Sequence, residues 1–455
     1  MVLTADIYLN TQQNTIFGIS GKFMRLGGRI QAAAEVLGDI LERKTPATMA
    51  LRDWGKKHRF AGSKDRSAIG NYVHDALRSK SSIGFRMASE TPRALALGAA
   101  VFRGGHTVDD LIKEFAEDQH APSKLSAEEQ KRLKGSIQID SAPDWIKADV
   151  PEWLWPMFET NFDEMAVAEG QALTARPPLD LRVNTIKSKR DKVLSSLKAK
   201  GLKKTEISPI GLRVEALEGD ARLPNVQIEP EYQTGAIEIQ DEGSQIVSLL
   251  VDAKPGEKVL DYCAGGGGKS LALAADMENK GQVFGFDIDK RRLSPLYQRA
   301  QRAGASVIEV RQPPSESLKD LVGKMDRVLV DAPCTGVGTW RRKPDAKWRL
   351  SEDALERRNN EQRSVLKSAK GFVKPDGGLL FYVTCSMLAE ENEAQVYAFL
   401  EENENFTLLS AGEVWEEKFG VNAPKPWSAD GCTLTLTPAA TNTDGFFFAV
   451  MERTK

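Results

Sequence analysis

Apolar residues recur at helical spacing over the first third of the chain. From Ile30 to Leu41 the apolar positions lie three or four residues apart, and the same spacing continues from Leu51 to Leu77. This period places apolar side chains on one face of a helix. No run typical of a strand precedes about residue 180. We therefore predict an all-α domain over residues 25–140, after a weakly patterned tail over residues 1–24.

A polar stretch separates this helical part from a unit of mixed character. In residues 118–148, Ser126 is placed to cap one short helix. Apolar and polar residues then alternate over residues 179–183, as in a strand that is buried on one side. A basic amphipathic helix over residues 188–202 and further short strands follow. We predict a small α+β module over residues 145–235.

After residue 236, short apolar strands alternate with helical segments. Alternation of this kind is typical of an open, mostly parallel sheet with helices on both faces, which binds ligands at the carboxyl ends of its strands. We predict a doubly wound α/β domain over residues 236–455. Its strands are predicted at residues 258–263, 282–287, 306–310, 326–331 and 378–383.

Size and charge limit the classes of protein that fit this pattern. A chain of 455 residues exceeds what one hydrophobic core supports, so several domains are expected. The 62 Lys and Arg against 64 Asp and Glu give a net charge of −2, which excludes nucleic-acid binding by bulk charge alone. Any polyanion requires a local basic patch. Because no signal peptide or apolar span is recognisable, we expect a cytoplasmic protein without membrane contact. We also expect a monomer.

Histidine and cysteine are distributed unevenly along the chain. All four histidines precede residue 121, and all four cysteines follow residue 260. A catalytic site in the C-terminal half would therefore lack imidazole, which argues against a Ser-His-Asp triad or a histidine-bound metal there. The spacing contains no C-x-x-C, so we predict no metal site, and free thiols fit a reducing compartment.

A glycine-rich loop over residues 263–268 follows the first strand of the α/β domain. Glycines allow a ligand to approach the backbone, and the helix that follows favours an anionic group. A dinucleotide fingerprint fails because Leu271 stands at its third glycine, and a P-loop fails because Cys263 replaces its leading glycine. In a third interpretation, Asp287 at the end of the next strand holds the ribose of a nucleoside cofactor.

Two cysteines follow other predicted parallel strands at the same edge of the sheet. Cys334 comes after the strand over residues 326–331, and Cys385 comes after the strand over residues 378–383. Most free cysteines are simply small buried side chains. We assign that packing role to Cys263 and Cys432.

Asp331 and Lys269 are predicted to lie at this same edge, beside the two thiols. A thiolate can add to carbon 6 of a pyrimidine, which makes carbon 5 a nucleophile toward the methyl group of S-adenosylmethionine (SAM). A neighbouring ammonium group favours the thiolate over the thiol. Two thiols and a nucleoside cofactor suit this chemistry, and it requires no histidine or metal.

At these positions the chain resembles the RNA cytosine-5 methyltransferases of the RsmB/Fmu/Sun type, over about residues 150–455. The resemblance implies a Rossmann-like class I SAM methyltransferase domain. The segments that carry it are residues 177–185, 239–245, 260–270, 287–293, 331–336, 341–349, 384–386, 391–392 and 444–447.

The family resemblance also implies roles for individual residues. It makes Cys385 the nucleophile and gives Cys334 a part in product release. It implies that Asp331 binds the cytosine edge and that Lys269 faces the reacting base. Contacts to SAM are expected from Cys263, Ala264, Gly265, Gly266, Gly267, Gly268, Lys269, Asp287, Arg292, Gln312 and Asp331.

The sequence departs from the family pattern at two places. Gly265 and Gly266 stand where the family usually has Ala-Pro, which costs rigidity but keeps the close backbone approach. The family often has an aspartate after the third strand to meet the adenine. Here Gln312 or Glu316 is the candidate for that contact.

The expected substrate is RNA, with 16S ribosomal RNA preferred and transfer RNA as the alternative. A basic run close to Cys334 in sequence is interpreted as a phosphate clamp. In this family the helical N-terminal domain is similar to the antiterminator NusB and contributes RNA binding, and the α+β module is expected to add contacts. The predicted clamp consists of Arg341, Arg342, Lys343, Lys347, Trp348 and Arg349.

Two other functions are compatible with the same residues. One is a P-loop ATPase in which Asp331 binds the metal, although Cys263 argues against it. The other is a ribosome-assembly factor that binds RNA on an inactive methyltransferase scaffold. The presence of both Cys334 and Cys385 argues against that alternative.

Overall fold

The computed structural model describes residues 24–217, 219 and 221–454, so nearly all of the predicted tail lies outside the described residues. In the described part, no helix is both long enough and apolar enough to cross a bilayer. The helices are α1 (Leu26–Arg43), α2 (Ala47–Lys57), α3 (Ser63–Arg78), α4 (Lys80–Met87), α5 (Pro92–Gly98), α6 (Val108–Glu117), α7 (Ala127–Leu133), α8 (Asp144–Lys147), α9 (Trp155–Phe162), α10 (Ala166–Ala172), α11 (Arg190–Ser196), α12 (Pro230–Gln233), α13 (Glu242–Leu250), α14 (Gly268–Asp276), α15 (Lys290–Leu293), α16 (Pro295–Ala303), α17 (Pro344–Arg349), α18 (Glu352–Ala369), α19 (Glu393–Glu401), α20 (Ala411–Phe419) and α21 (Pro438–Thr441). The strands are β1 (Leu179–Val183), β2 (Leu202–Lys204), β3 (Gly211–Val214), β4 (Ile237–Ile239), β5 (Lys258–Asp261), β6 (Gln282–Phe286), β7 (Ile308–Arg311), β8 (Arg327–Asp331), β9 (Gly378–Thr384), β10 (Phe406–Leu408), β11 (Leu434–Leu436) and β12 (Phe446–Arg453).

Helices α1 to α7 pack around one apolar core, as the helical period predicts. The buried positions of α1, such as Ile30 and Leu37, face α3 and α5 in that core. The short helix α7 begins where the capping signal indicates. Ser126 accepts a hydrogen bond from the backbone of Glu129, and the Glu129 carboxylate accepts one in return from the backbone N–H of Ser126.

The small module is an antiparallel sheet with strand order β2-β3-β1-β4, in which two helices connect the strands in the order β1-α11-β2-β3-α12-β4. Its boundary at residue 235 is wrong, because β4 pairs with β1 and belongs to this sheet. The predicted helix over residues 188–202 is also too long. Leu197 is already extended and Gly201 turns the chain at φ 80°, so α11 covers only Arg190–Ser196.

Helices α9 and α10 lie inside the predicted α+β module, but they pack on the α/β domain. Phe158 of α9 stacks on Trp340, with ring centroids 6.2 Å apart. Met387, just beyond β9, joins the same buried cluster. The apolar faces of these helices are therefore covered by the segments that follow the two cysteine-bearing strands.

The α/β domain has the predicted doubly wound architecture. Strands β5 to β9 are parallel in the order β9-β8-β5-β6-β7, and the antiparallel β12 continues the sheet beyond β9. Successive residues of β5 enter different cores, since Val259 packs toward α13 and α14 while Leu260 packs toward α18 and α19. The sheet is therefore covered on both faces, and its open edge lies at the carboxyl ends of the parallel strands.

Candidate active site

The glycine loop runs from the end of β5 to the start of α14. Gly265 and Gly267 both have positive φ, at 50° and 78°. A Cβ atom on Gly267 would lie 2.1 Å from Leu296 Cδ1 of α16, so this position has no room for a side chain. The loop therefore folds back against α16 at the carboxyl ends of the strands, where glycines allow a ligand to approach the backbone closely.

Asp287, at the end of β6, lies against this loop. Its Oδ2 accepts a hydrogen bond from the backbone N–H of Gly265 at 3.0 Å, and its Oδ1 accepts one from Asp289 at 2.8 Å. The guanidinium of Arg292 lies 3.8 Å from Oδ2. These contacts fix the carboxylate beside the glycine loop.

Asp261, the last residue of β5, was not identified from the sequence. Its Oδ2 accepts a 2.6 Å hydrogen bond from Ser270, whereas Oδ1 is buried and has no hydrogen-bond partner among the described residues. Burial raises the pKa of Asp261 to about 7. The sequence signal that could have identified Asp261 is its position as an acidic residue at the end of a strand, directly before a glycine loop.

Gln312, directly after β7, has a similar free acceptor. Its Nε2 donates to the hydroxyl of Tyr297, while its buried Oε1 has no partner in the described part of the chain. Glu316 is exposed and lies in the 3-10 turn that follows. Of the two predicted candidates for an adenine contact, Gln312 therefore has the unsatisfied polar atom.

Lys269 and Asp331 form an ion pair across the edge of the sheet. Lys269 Nζ lies 2.7 Å from Asp331 Oδ2 and 5.2 Å from the ring centre of Phe446. Burial alone would lower the pKa of Lys269, but the Asp331 carboxylate outweighs burial and holds that pKa above its ordinary value. Lys269 therefore carries a positive charge close to the two thiols.

The Sγ atoms of Cys334 and Cys385 lie 3.3 Å apart, within hydrogen-bonding distance. This contact lowers the pKa of Cys385 below its ordinary value, with support from Lys269, and that direction corresponds to Cys334 as the S–H donor. The same contact, together with burial, raises the pKa of Cys334. Cys385 is therefore the more acidic thiol of the pair, as a nucleophile requires.

The remaining two cysteines lie outside this pair. The side chain of Cys263 packs on the core between the sheet and α18, and burial raises its pKa. Cys263 thus contributes its backbone to the start of the glycine loop.

No cluster of three or more His, Cys, Asp or Glu side chains suited to a metal ion occurs in residues 24–217, 219 or 221–454.

The prediction that Arg341 and Arg342 belong to a phosphate clamp is wrong. Arg341 is 3% exposed and pairs with Asp444 at 2.8 Å. Arg342 contacts Asp444 as well, and its Nη2 lies 2.8 Å from Asp241 Oδ2. These guanidinium groups hold the segment after Cys334 to the end of the sheet, and their charge is already used by carboxylates.

The clamp prediction is also wrong for Lys347 and Trp348, which dock on the helical domain. Lys347 is 1% exposed and donates to the carbonyl oxygens of Arg78 at 2.9 Å and Asp149 at 2.7 Å. Trp348 Nε1 donates to the carbonyl oxygen of Leu77 at 2.6 Å. A basic run with an interleaved tryptophan therefore forms a domain contact here.

Lys343 and Arg349 are the exposed members of the same run. Arg349 forms an ion pair with Asp345 within α17, at 2.7 Å. These two residues are still accessible to a polyanion. A role for them in RNA binding stays a prediction.

Family models match both sheets of the protein. One, described as 16S rRNA methyltransferase RsmB/F, matches residues 248–452, and another, an RsmF/B-like ferredoxin-like domain, matches residues 150–217. A Klebsiella pneumoniae protein named ribosomal RNA small subunit methyltransferase B is 32% identical over 347 residues, which cover 75% of this chain and 71% of that protein. The chain belongs to the RsmB/F family.

Two further relatives support this membership. A Bacillus subtilis protein named Probable ribosomal RNA small subunit methyltransferase B is 33% identical over 307 residues. The match covers 67% of this chain and 66% of that protein, so the chain spans just under two thirds of the relative's length. A crystal structure of a methyltransferase homolog protein from Pyrococcus horikoshii is 26% identical, with a TM-score of 0.57, covering 70% of this chain and 100% of that one.

Proposed function

We propose that this protein methylates carbon 5 of a cytosine in RNA, with SAM as the methyl donor and 16S ribosomal RNA as the substrate. The observation that carries the proposal is the pair of thiols, Cys334 and Cys385, at 3.3 Å. The ion pair of Lys269 with Asp331 lies at the same edge of the sheet. Family membership supports a ribosomal RNA substrate.

The residues at the strand ends suit SAM, which supplies a methyl group on a sulfonium when bound. Asp287 would accept the ribose hydroxyls, and the glycine-loop backbone would meet the carboxylate end. The unpartnered Oδ1 of Asp261 would accept the ammonium group. Gln312 Oε1 would face the adenine edge, and Ile288, 74% exposed beside Asp287, offers an apolar surface to the adenine ring.

In the proposed mechanism, Cys385 attacks the base first. Its thiolate forms a bond to carbon 6, and the carbon 5–carbon 6 π electrons move onto carbon 5 and the ring. That electron pair then takes the methyl group, and the methyl–sulfonium bond breaks. Lys269 favours the attack because its charge stabilises the thiolate, and Asp331 orients the base through the cytosine edge.

Release requires removal of the carbon 5 proton. The reaction liberates one proton overall, so Cys334 can pass its own proton to water after the attack and then accept the carbon 5 proton. The double bond re-forms, the Cys385–carbon 6 bond breaks, and its electron pair returns to Cys385. Both thiols are then in their starting states.

The P-loop alternative has less support from the geometry. The lysine of a P-loop must face phosphate groups, whereas Lys269 is paired with Asp331 at 2.7 Å. The carboxylate that would bind the metal instead neutralises the lysine that would bind phosphate. An RNA-binding assembly factor without catalytic activity would not require two thiols so close together.

RNA recognition is proposed for surfaces outside the basic run. A cytosine inside a duplex does not expose carbon 6, so the target must be unstacked into the site. The small module presents exposed lysines around α11 and β2, and the helical domain is proposed to add contacts as a NusB-like unit. The exposed lysines of the small module are Lys187, Lys189, Lys192, Lys198, Lys200, Lys203 and Lys204.

The test is a methyl-transfer assay with the full chain and isotopically labelled SAM. Naked 16S ribosomal RNA, small-subunit particles and transfer RNA are the substrates, and bisulfite sequencing locates the product. We expect 5-methylcytosine at a single position of 16S ribosomal RNA. Labelling of transfer RNA alone would contradict 16S ribosomal RNA as the substrate. The absence of label from every RNA would contradict the proposed activity.

A further inference from the structure

Glu391, in the turn before α19, is connected to both residues that flank Cys334. One carboxylate oxygen, Oε1, accepts a hydrogen bond from the backbone N–H of Thr335 at 2.8 Å, and Oε2 accepts one from the Thr335 hydroxyl. Gln362 of α18 donates to Glu391 Oε1 at 3.0 Å and to the carbonyl oxygen of Pro333 at 2.9 Å. Glu391 thus binds the residue after Cys334 directly and the residue before it through Gln362.

Asn392, the next residue, is connected in the same manner to both neighbours of Cys385. Its Oδ1 accepts a 2.6 Å hydrogen bond from the hydroxyl of Thr384. Its Nδ2 donates to the carbonyl oxygen of Ser386 at 3.2 Å. Asn392 therefore holds the loop of the second thiol from both sides.

Both side chains are inaccessible to solvent, with Glu391 at 0% and Asn392 at 1% exposure. Neither forms a hydrogen bond to a sulfur atom, so these hydrogen bonds act on the thiols through the two loops, whereas the Glu391 charge also raises the pKa of both thiols directly. Buried polar networks that are fully satisfied fix one geometry, because any displacement leaves polar groups unpaired. Two buried networks meet at a single peptide unit here, and in the Glu391 network Gln362 Oε1 has no hydrogen-bond partner among the described residues.

We propose that Glu391 and Asn392 are positioning residues that together set the separation of the two thiols, Glu391 for Cys334 and Asn392 for Cys385. This inference deepens the proposed function and rests on it. The two residues are proposed to act on different steps of the reaction. Glu391 governs product release by placing Cys334, while Asn392 governs the attack by placing Cys385.

Two isosteric variants test these roles separately. Glu391→Gln puts an amide NH2 where one carboxylate oxygen accepts from Thr335, so the Cys334 loop loosens. Asn392→Asp keeps the acceptor for Thr384 but faces the carbonyl of Ser386 with an oxygen. Glu401→Gln, exposed at the end of α19, makes the same chemical change outside the network and serves as the control.

The first measurement follows the covalent protein–RNA adduct on denaturing gels under single turnover. We expect Glu391→Gln to form adduct at a rate close to the wild type and to resolve it about ten-fold more slowly, so that adduct accumulates. Asn392→Asp is expected to form adduct about ten-fold more slowly without accumulation. Equal slowing of both steps in both variants would reveal a merely structural role and overturn the inference.

The second measurement does not involve RNA. The rate of Cys385 alkylation by iodoacetamide, followed by mass spectrometry across pH, reports the thiolate of that residue. Because the contact with Cys334 lowers the pKa of Cys385, loosening either loop should move the alkylation profile to higher pH in both variants. Loss of the Glu391 charge alone would move the profile of Glu391→Gln to lower pH, so a shift to higher pH in that variant reports the loosened contact. An unchanged profile in both would overturn the inference. A shifted profile with no RNA adduct in the wild type would instead overturn the proposed function alone.

Discussion

Gly267 and Leu296 are packed so closely that the Cα–H of the glycine faces the leucine side chain with no room for a methyl group. The residue also has φ 78°, which side chains disfavour. Gly267→Ala should therefore displace the loop, weaken binding of the SAM product S-adenosylhomocysteine at least ten-fold, and destabilise the fold by about 1–3 kcal/mol. Calorimetric titration and thermal unfolding measure the two effects.

The matched control for this loop is Gly105→Ala. Gly105 has a similar φ of 76°, but nothing lies within 4 Å of its Cβ position. It should show only the backbone cost of about 1–2 kcal/mol and bind the product normally. Equal binding by both variants would show that contact with Leu296 does not shape the cofactor site.

Replacing each of the two cysteines singly should block a different step of the reaction. Cys385→Ala removes the nucleophile, so neither methyl transfer nor adduct should be detectable. Cys334→Ala leaves the attack possible but removes the acceptor of the carbon 5 proton, so RNA should stay attached to the protein. Denaturing gels distinguish the two results, and a trapped adduct in Cys385→Ala instead would reverse the assigned roles.

The pH dependence of the attack should depend on Cys334. Its S–H stabilises the Cys385 thiolate, so removing the donor in Cys334→Ala must raise the pKa of Cys385. Adduct formation by this variant should therefore reach half its plateau at a higher pH than in the wild type. Rapid-quench measurements across pH test this, and an equal or lower midpoint would contradict the direction of the hydrogen bond.

Gln312 and Glu316 should differ in their effect on the cofactor. Only Gln312 has a buried acceptor without a partner in the described residues, so Gln312→Ala should weaken S-adenosylhomocysteine binding about 3- to 10-fold. Glu316→Ala, on the same loop but exposed, should leave affinity unchanged. A larger loss for Glu316→Ala would move the adenine contact to the other candidate.

Lys347 should stabilise the domain contact more than it promotes RNA binding. Lys347→Met leaves two buried carbonyl oxygens unpaired, but it also removes an ammonium whose pKa burial lowers to about 8. We expect a net loss of about 1–3 kcal/mol in the free energy of unfolding. Lys343→Met, exposed in the same run, should cost less than about 0.5 kcal/mol.

Features that depend on local pattern were predictable from the sequence. The strand ends that carry Asp287, Asp331 and the two cysteines follow from apolar runs, and the capping signal of α7 is local as well. The contacts of Arg341 and Lys347 were not predictable in this way. A charged residue is expected to be exposed unless a carboxylate or carbonyl partner from a distant segment is known. These partners, such as Asp444 and Arg78, lie about 100 and over 260 positions away along the chain.

The boundary of the small sheet was missed for a related reason. The pattern of Ile237–Ile239 indicates a short strand, but only its pairing with β1 assigns β4 to the small sheet. Asp261 was missed because an acid at a strand end is common, and only burial shows that one of its oxygens lacks a partner. Burial is a property of the packed chain and has no local signature.

Glu391 and Asn392 are adjacent, whereas the cysteines whose loops they hold are 51 positions apart. Consecutive Cα atoms lie about 3.8 Å apart, so one peptide unit acts as a fixed-length spacer between the two loops. Changes of length in the segment between the two cysteines are therefore compatible with the reaction centre only where Gln362 of α18 still reaches Glu391 and Pro333. A single residue inserted between Glu391 and Asn392 would not be tolerated, although it would lie outside both cysteine-bearing loops.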